Sequence, residues 1–224
     1  ENDGLTRHGI PAYYSAVMEN ELMNLRAVAR HLRMNEKAVS RLAEAGQDFC
    51  LAKGHPPRDP STSSNLIDLP PYYNAGFKGN WHGDTANDND LALLPTGVQA
   101  LAGVQFDVRG LVQVGSSHAQ GGSLFPTNVN DIRLAMRCRR LHFLHGALWG
   151  ADPPGTQMGS YVLHYASGES RERPIVLGND VLDWWKQSYN ATNAAGLTVA
   201  WQGANAKSQR EGTTIRLYKS VWEN

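Results

Sequence analysis

The sequence predicts a mainly β protein, an antiparallel β-sandwich preceded by a helical hairpin. Three observations carry that reading. From Arg139 to Trp185 the chain alternates apolar and polar residues in short aromatic-rich runs broken by turns, the period-two signature of half-buried antiparallel strands. Further short runs of the same kind recur after Asn65 with long Gly, Asn and Asp-rich loops between them, a spacing that suits a sandwich. Helical periodicity is confined to the first quarter, where Met18, Leu22, Leu25, Ala29 and Leu32 fall at spacings of three and four.

In chain order, residues 1–14 are a polar lead-in. Ser15 caps the first predicted helix and Asn35 the second, which carries Ala38, Val39 and Leu42 and meets Gly46. This 1–58 segment is expected to belong with a neighbouring domain. HPPRDPSTSS at 55–64 reads as a linker and the domain boundary. Residues 65–224 form the sandwich. Asn65–Leu69 is a short extended piece stopped by Pro70-Pro71, and 72–90 is mostly loop. Val104–Val108 and Leu111–Val114 read as paired or consecutive strands broken at Gly110, and Ile132–Met136 as a strand or a turn of helix.

In the central block, Leu141, Phe143 and His145 share one face of a strand, opposite His142 and Leu144. Tyr161, Leu163 and Tyr165 share one face of the next. Ser167-Gly168 supplies the hairpin turn, and Pro174 is expected at the first position of a strand through Ile175–Leu177. Asp183–Tyr189 suits a single helical turn. Leu197–Gln202 and Thr213–Trp222 are the last strands, with Ile215, Leu217 and Val221 on one side. No internal repeat is present.

Composition bounds the function. Lysine plus arginine and aspartate plus glutamate are 21 each, so no global field recruits nucleic acid or an anionic membrane. No run of about 18 apolar residues exists to span a bilayer. The chain starts at Glu1 and reads as a trimmed chain or a piece of a longer protein, so a missing leader says little about compartment. Cys50 and Cys138 make neither a disulfide framework nor a zinc site, and whether they pair depends on the fold.

Residues 27–45 resemble a helix-turn-helix unit with Lys37, Ser40 and Arg41 outward. A turn glycine is missing at Arg33, and residues 1–58 carry eight basic against seven acidic side chains, so a DNA binder's electrostatic footprint is absent. The loop from Trp81, His82 and Asp84 to Asp88-Asn89-Asp90 offers oxygen ligands that a structural calcium ion could use. Its spacing is not that of an EF-hand, and Asn and Asp are ordinary turn formers. His142 and His145 face opposite sides of one strand and cannot chelate one metal. No G-x-S-x-G elbow, phosphate loop or H-E-x-x-H occurs, and no pair of acids stands out as a glycosidase pair.

What remains is aromatic. Trp81, Trp149, Trp184, Trp185, Trp201 and Trp222 exceed the needs of turns. An exposed indole stacks on a sugar ring while neighbouring Asp and Asn accept its hydroxyl hydrogens; a buried one simply fills the core. The candidate ligand-binding residues are Trp81, His82, Asp84, Trp149, Asp152, Asn179, Asp180 and Trp184, on three loops.

Seven blocks occur in one order: NLIDLPPYYNAGF, LALLPTGVQALAGVQFDVRGLVQVGS, CRRLHFLHGALWG, GSYVLHYASG, PIVLGNDVLDWW, VAWQGANA and IRLYKSVWEN. Together they resemble a β-sandwich module found at the ends of large multidomain proteins of planctomycete and verrucomicrobial bacteria, similar to the galactose-binding-like jelly-roll class. The resemblance covers about 65–224. It implies a jelly roll that binds glycans through loops at one end, sometimes with a calcium ion in the wall, beside the other domains of its parent. It carries over no catalytic residues. Similar modules continue past the block at 222–224 into one more strand, so a sheet edge is expected to be open here. The expected function is therefore non-catalytic carbohydrate binding in a periplasmic or extracellular setting. A structural or protein-interaction module without a small ligand and a glycan-active enzyme are the alternatives.

Overall fold

The computed structural model describes residues 55–78, 88–115, 125–148, 152–185 and 197–224. The predicted helical hairpin lies outside them. Among the described residues the protein is mainly β, built from antiparallel pairs with almost no helix. The strands are β1 (Gly97–Leu101), β2 (Val104–Val108), β3 (Arg140–His145), β4 (Gln157–His164), β5 (Ser170–Val176), β6 (Thr198–Gly203) and β7 (Ile215–Glu223); α1 is the short helix Ala206–Arg210.

The last strand, rather than the 139–185 block, is the centre. β7 lies between β3 and β6 in a three-stranded antiparallel sheet. Both of its faces are covered. Ile215 and Leu217 join Leu101 and Val108 of the β1–β2 hairpin in one core, with Phe77, Leu91, Leu94 and Trp184. On the other face Tyr218 packs with Leu177, Val181, Leu182 and Leu197, and Met158 and Ile175 of the β4–β5 hairpin close over them. The result is sandwich-like. A strand buried on both sides forfeits contacts in two cores when it loses a side chain.

Register follows the period-two reading. Leu141, Phe143 and His145 stand opposite Trp222, Ser220 and Tyr218, and Tyr161 of β4 stacks on Phe143 with ring centroids 3.9 Å apart. β2 pairs with β1, not with the run after Gly110. The two residues between them, Ala102 and Gly103, have φ of 47° and 77°, the left-handed pair that a two-residue type I′ hairpin requires. Leu111 makes only a single bridge, to Ala75. Residues 132–136 form neither strand nor helix; Ala135 at φ 48° breaks any regular run there. Pro174 sits inside β5 rather than at its start, paired with Ser160 and exposed, on a strand with a neighbour on one side only among the described residues. A missing N–H is tolerated at such an edge.

The stretch read as a linker is tied to β2 and the residues that follow it. His55 stacks on Tyr73, and its Nδ1 donates to the Arg109 carbonyl at 3.0 Å. Arg58 donates to Asp107 at 2.9 Å and to the Ser63 and Leu66 carbonyls. Arg109 ties Asp107 to Asp68. A Cβ at Gly110 would fall 2.5 Å from His55 Nδ1 and 2.6 Å from Tyr73 Cγ, so a glycine is needed for this stack to close. Residues 70–72 form a 3-10 turn opened by the two prolines.

Candidate functional site

β3 ends, β6 ends and β7 begins at the same end of the central sheet. The loops singled out in the sequence are anchored there. As the chain leaves β3, Ala147 donates to the Leu182 carbonyl and accepts from Trp184 N, both at 3.0 Å; Arg216 N then donates to the Trp184 carbonyl at 2.9 Å. Residues 182–184 thus bridge the exit of β3 and the entry of β7.

The 152–156 turn lies against the 177–181 turn. Gly155 N donates to the Leu177 carbonyl at 2.8 Å and Leu177 N to the Thr156 carbonyl at 2.9 Å. A Cβ on Gly178 would meet Pro154 Cβ at 3.2 Å. The described end of the third loop, residues 88–90, is latched to α1: Asn205, the helix cap, donates to Asn89 Oδ1 and the Asp90 carbonyl, both at 3.0 Å. Asp88 forms an ion pair with Arg210 and its carbonyl accepts from Lys207 N. The other carboxylate oxygen of Asp88, Oδ1, is buried and has no hydrogen-bond partner among the described residues.

The tryptophan pair divides the work. Trp184 is 5% exposed and belongs to the core beside Ile215 and Leu217, so its ring is not offered to a ligand. Trp185, its centroid 6.0 Å away, is half-buried, with Lys207 Nζ 5.6 Å over its ring. The sequence places Trp184 among the ligand-binding candidates, whereas Trp185, packed against the same core, is the less buried of the two.

Asp180 is likewise structural. It is 4% exposed; Oδ1 accepts from Arg173 at 2.8 Å, and Oδ2 from Val176 N at 2.9 Å and Asn179 Nδ2 at 3.2 Å. That closes the 176–180 turn and leaves little acceptor capacity for a sugar hydroxyl. Asn179 is exposed and Asp152 half-exposed at the same end. Trp81, His82, Asp84 and Trp149 lie outside the described residues.

Burial disfavours the charged form of His145. Its Nε2 donates to the Asp180 carbonyl at 2.9 Å, so Nδ1 accepts from the Tyr161 hydroxyl at 3.0 Å. Burial lowers its pKa, against the opposing pull of Asp180, and burial raises that of Tyr161. Tyr73 is pushed up to about 12, again chiefly by burial. For Arg109 burial would lower the pKa, but the hydrogen bonds it donates to Asp107 and Asp68 outweigh it and hold the guanidinium above its ordinary value.

Among the described residues no group of three or more His, Cys, Asp or Glu is placed to hold a metal ion, and no helix is long and apolar enough to cross a membrane. Comparison with family profiles, with curated proteins and with solved structures found no match for this chain.

Proposed function

We propose that the chain is a non-catalytic carbohydrate-binding module of the galactose-binding-like jelly-roll kind, with its site on the loops at the end of the central sheet where β7 begins. One observation carries the reading: the anchors of all three loops meet there, around Trp184 and the half-buried Trp185. An indole with one side on a core and polar groups beside it suits a sugar's apolar face and its hydroxyls. Exposed Asn179, and Lys207 of α1 with its ammonium over the Trp185 ring, supply polar groups at that end. Two carboxylates of low exposure, Asp107 and Asp180, are committed to arginines, which suits scaffolding better than proton transfer.

Calorimetric titration of the chain against plant, algal and bacterial polysaccharides tests the reading. Binding of at least one is expected, weakened about tenfold by Trp185→Ala, the ~1.4 kcal/mol scale of one stacked ring. Trp185→Phe preserves much of the packing and is expected to bind with intermediate affinity. Silence across the panel, or affinity indifferent to both substitutions, contradicts it.

A further inference from the structure

At the opposite end of the central sheet, the segment leading into β3 concentrates positive charge in an otherwise balanced chain. Residues 131–140, DIRLAMRCRR, hold four arginines against one aspartate. Exposure alternates along it: Arg133, Arg137 and Arg139 are exposed, while Ile132, Leu134, Met136 and Cys138 are half-buried. Arg140 is paired with Glu223 Oε1 at 2.7 Å. Among the described residues, the other three have no carboxylate partner.

This is not a loose tail. The Tyr72 hydroxyl donates to the Asp131 carbonyl. At the other end Asn224 donates from N to the Arg139 carbonyl at 2.8 Å and from Nδ2 to the Cys138 carbonyl at 3.0 Å. Between these stitches two non-glycine residues, Asp131 and Ala135, take positive φ of 62° and 48°, a conformation that costs energy and persists only where the surroundings enforce it. The arginines are therefore presented by a backbone pinned at both ends, which lowers the ordering cost of binding.

We propose that Arg133, Arg137 and Arg139 form a binding stripe for an acidic polysaccharide, a glycan with repeating carboxylate or sulfate groups. Guanidinium forks take both anions through paired N–H donors. Three of them spread over seven residues suit a repeating anion better than one small ion, which would need them focused. Single-stranded nucleic acid calls for aromatic platforms between the basic residues; here Leu134, Ala135, Met136 and Cys138 lie between them. A bilayer calls for exposed apolar side chains beside the charge, whereas Ile132, Leu134 and Met136 are turned partly inward. The proposal takes its ligand class, not its location, from the carbohydrate reading.

The test is titration of the full chain at about 0.15 M salt with alginate and dextran sulfate, and with uncharged dextran, single-stranded DNA and anionic phosphatidylglycerol vesicles as comparators. At least one acidic polysaccharide is expected to bind more tightly than any comparator. The triple variant Arg133→Gln, Arg137→Gln, Arg139→Gln should weaken it about tenfold or more, as expected for the loss of several charge-assisted contacts. The triple lysine variant keeps the charge and should recover only part of that loss. Failure of both acidic polymers to bind, equal or tighter binding of DNA or vesicles, or indifference to the glutamine variant overturns the proposal. If Trp185→Ala abolishes binding of neutral glycans while the glutamine variant still binds acidic ones like the parent, the stripe fails and the loop-end reading stands. If acidic polymers bind through the stripe and no glycan responds to Trp185, the loop-end reading fails alone.

Discussion

Arg109 Nε donates to Asp107 Oδ1 at 2.9 Å, with the two side chains 4% and 3% exposed. Asp107 also accepts from Arg58, and Arg109 also reaches Asp68, so one buried carboxylate holds β2 and the 55–73 segment together. Removing one member of a buried ion pair leaves its partner's charge uncompensated, at a cost of about 3–5 kcal/mol. Asp107→Asn is expected to lose stability on that scale in urea unfolding. A loss below about 1 kcal/mol, the surface-pair range, would contradict the role given to this carboxylate.

The same network sets where the folding unit begins. A chain starting at His55 keeps Arg58 and the His55–Tyr73 stack, whereas one starting at Asn65 leaves Asp107 with Arg109 alone. The shorter chain should unfold at distinctly lower urea concentration, by about 2 kcal/mol or more. Equal midpoints for the two chains would show that residues 55–64 are a tether after all.

His145 makes stability depend on pH. Its folded-state pKa lies below the unfolded value because burial disfavours the imidazolium. The unfolded chain therefore binds more protons in the window below about pH 6.5, and the stability associated with the neutral ring is present above that pH and lost as pH falls. His142, lowered by burial and by Lys219 and Arg140, acts with the same sign. Urea midpoints should drop between about pH 6.5 and 5. His145→Gln, less stable overall, should show a shallower drop across that window. An unchanged slope would assign the effect to other groups.

Much of this architecture was legible in residue patterning, and the exceptions have physical causes. β2, β3, β6 and β7 lie where the apolar patterning placed them, whereas β4 begins four residues before the Tyr161–Tyr165 run and most of β5 precedes Ile175. β1 escaped because GVQAL opens on glycine and its turn puts Ala102, not a second Gly, Asn or Asp, at positive φ. α1 is five residues long and shows itself only through its cap, where Asn205 and Ser208 exchange hydrogen bonds. Nothing local marks Arg109 or Asp107 as buried, since charge pairs of that kind depend on contacts made across about fifty residues. The candidate site was legible as a set of loops but not residue by residue. Asp180 and Trp184 look like ligand groups in a string of letters, and only the turn and core around them show that they are already occupied.

The most direct test follows the six indole N–H signals in a two-dimensional nitrogen–proton spectrum during titration with a polysaccharide that binds. Perturbation is expected at Trp185, Trp81 and Trp149, with Trp222, at the far end of β7, unmoved. Perturbation confined to Trp222 or Trp201, or no indole moving at saturation, would contradict a sugar site on these loops.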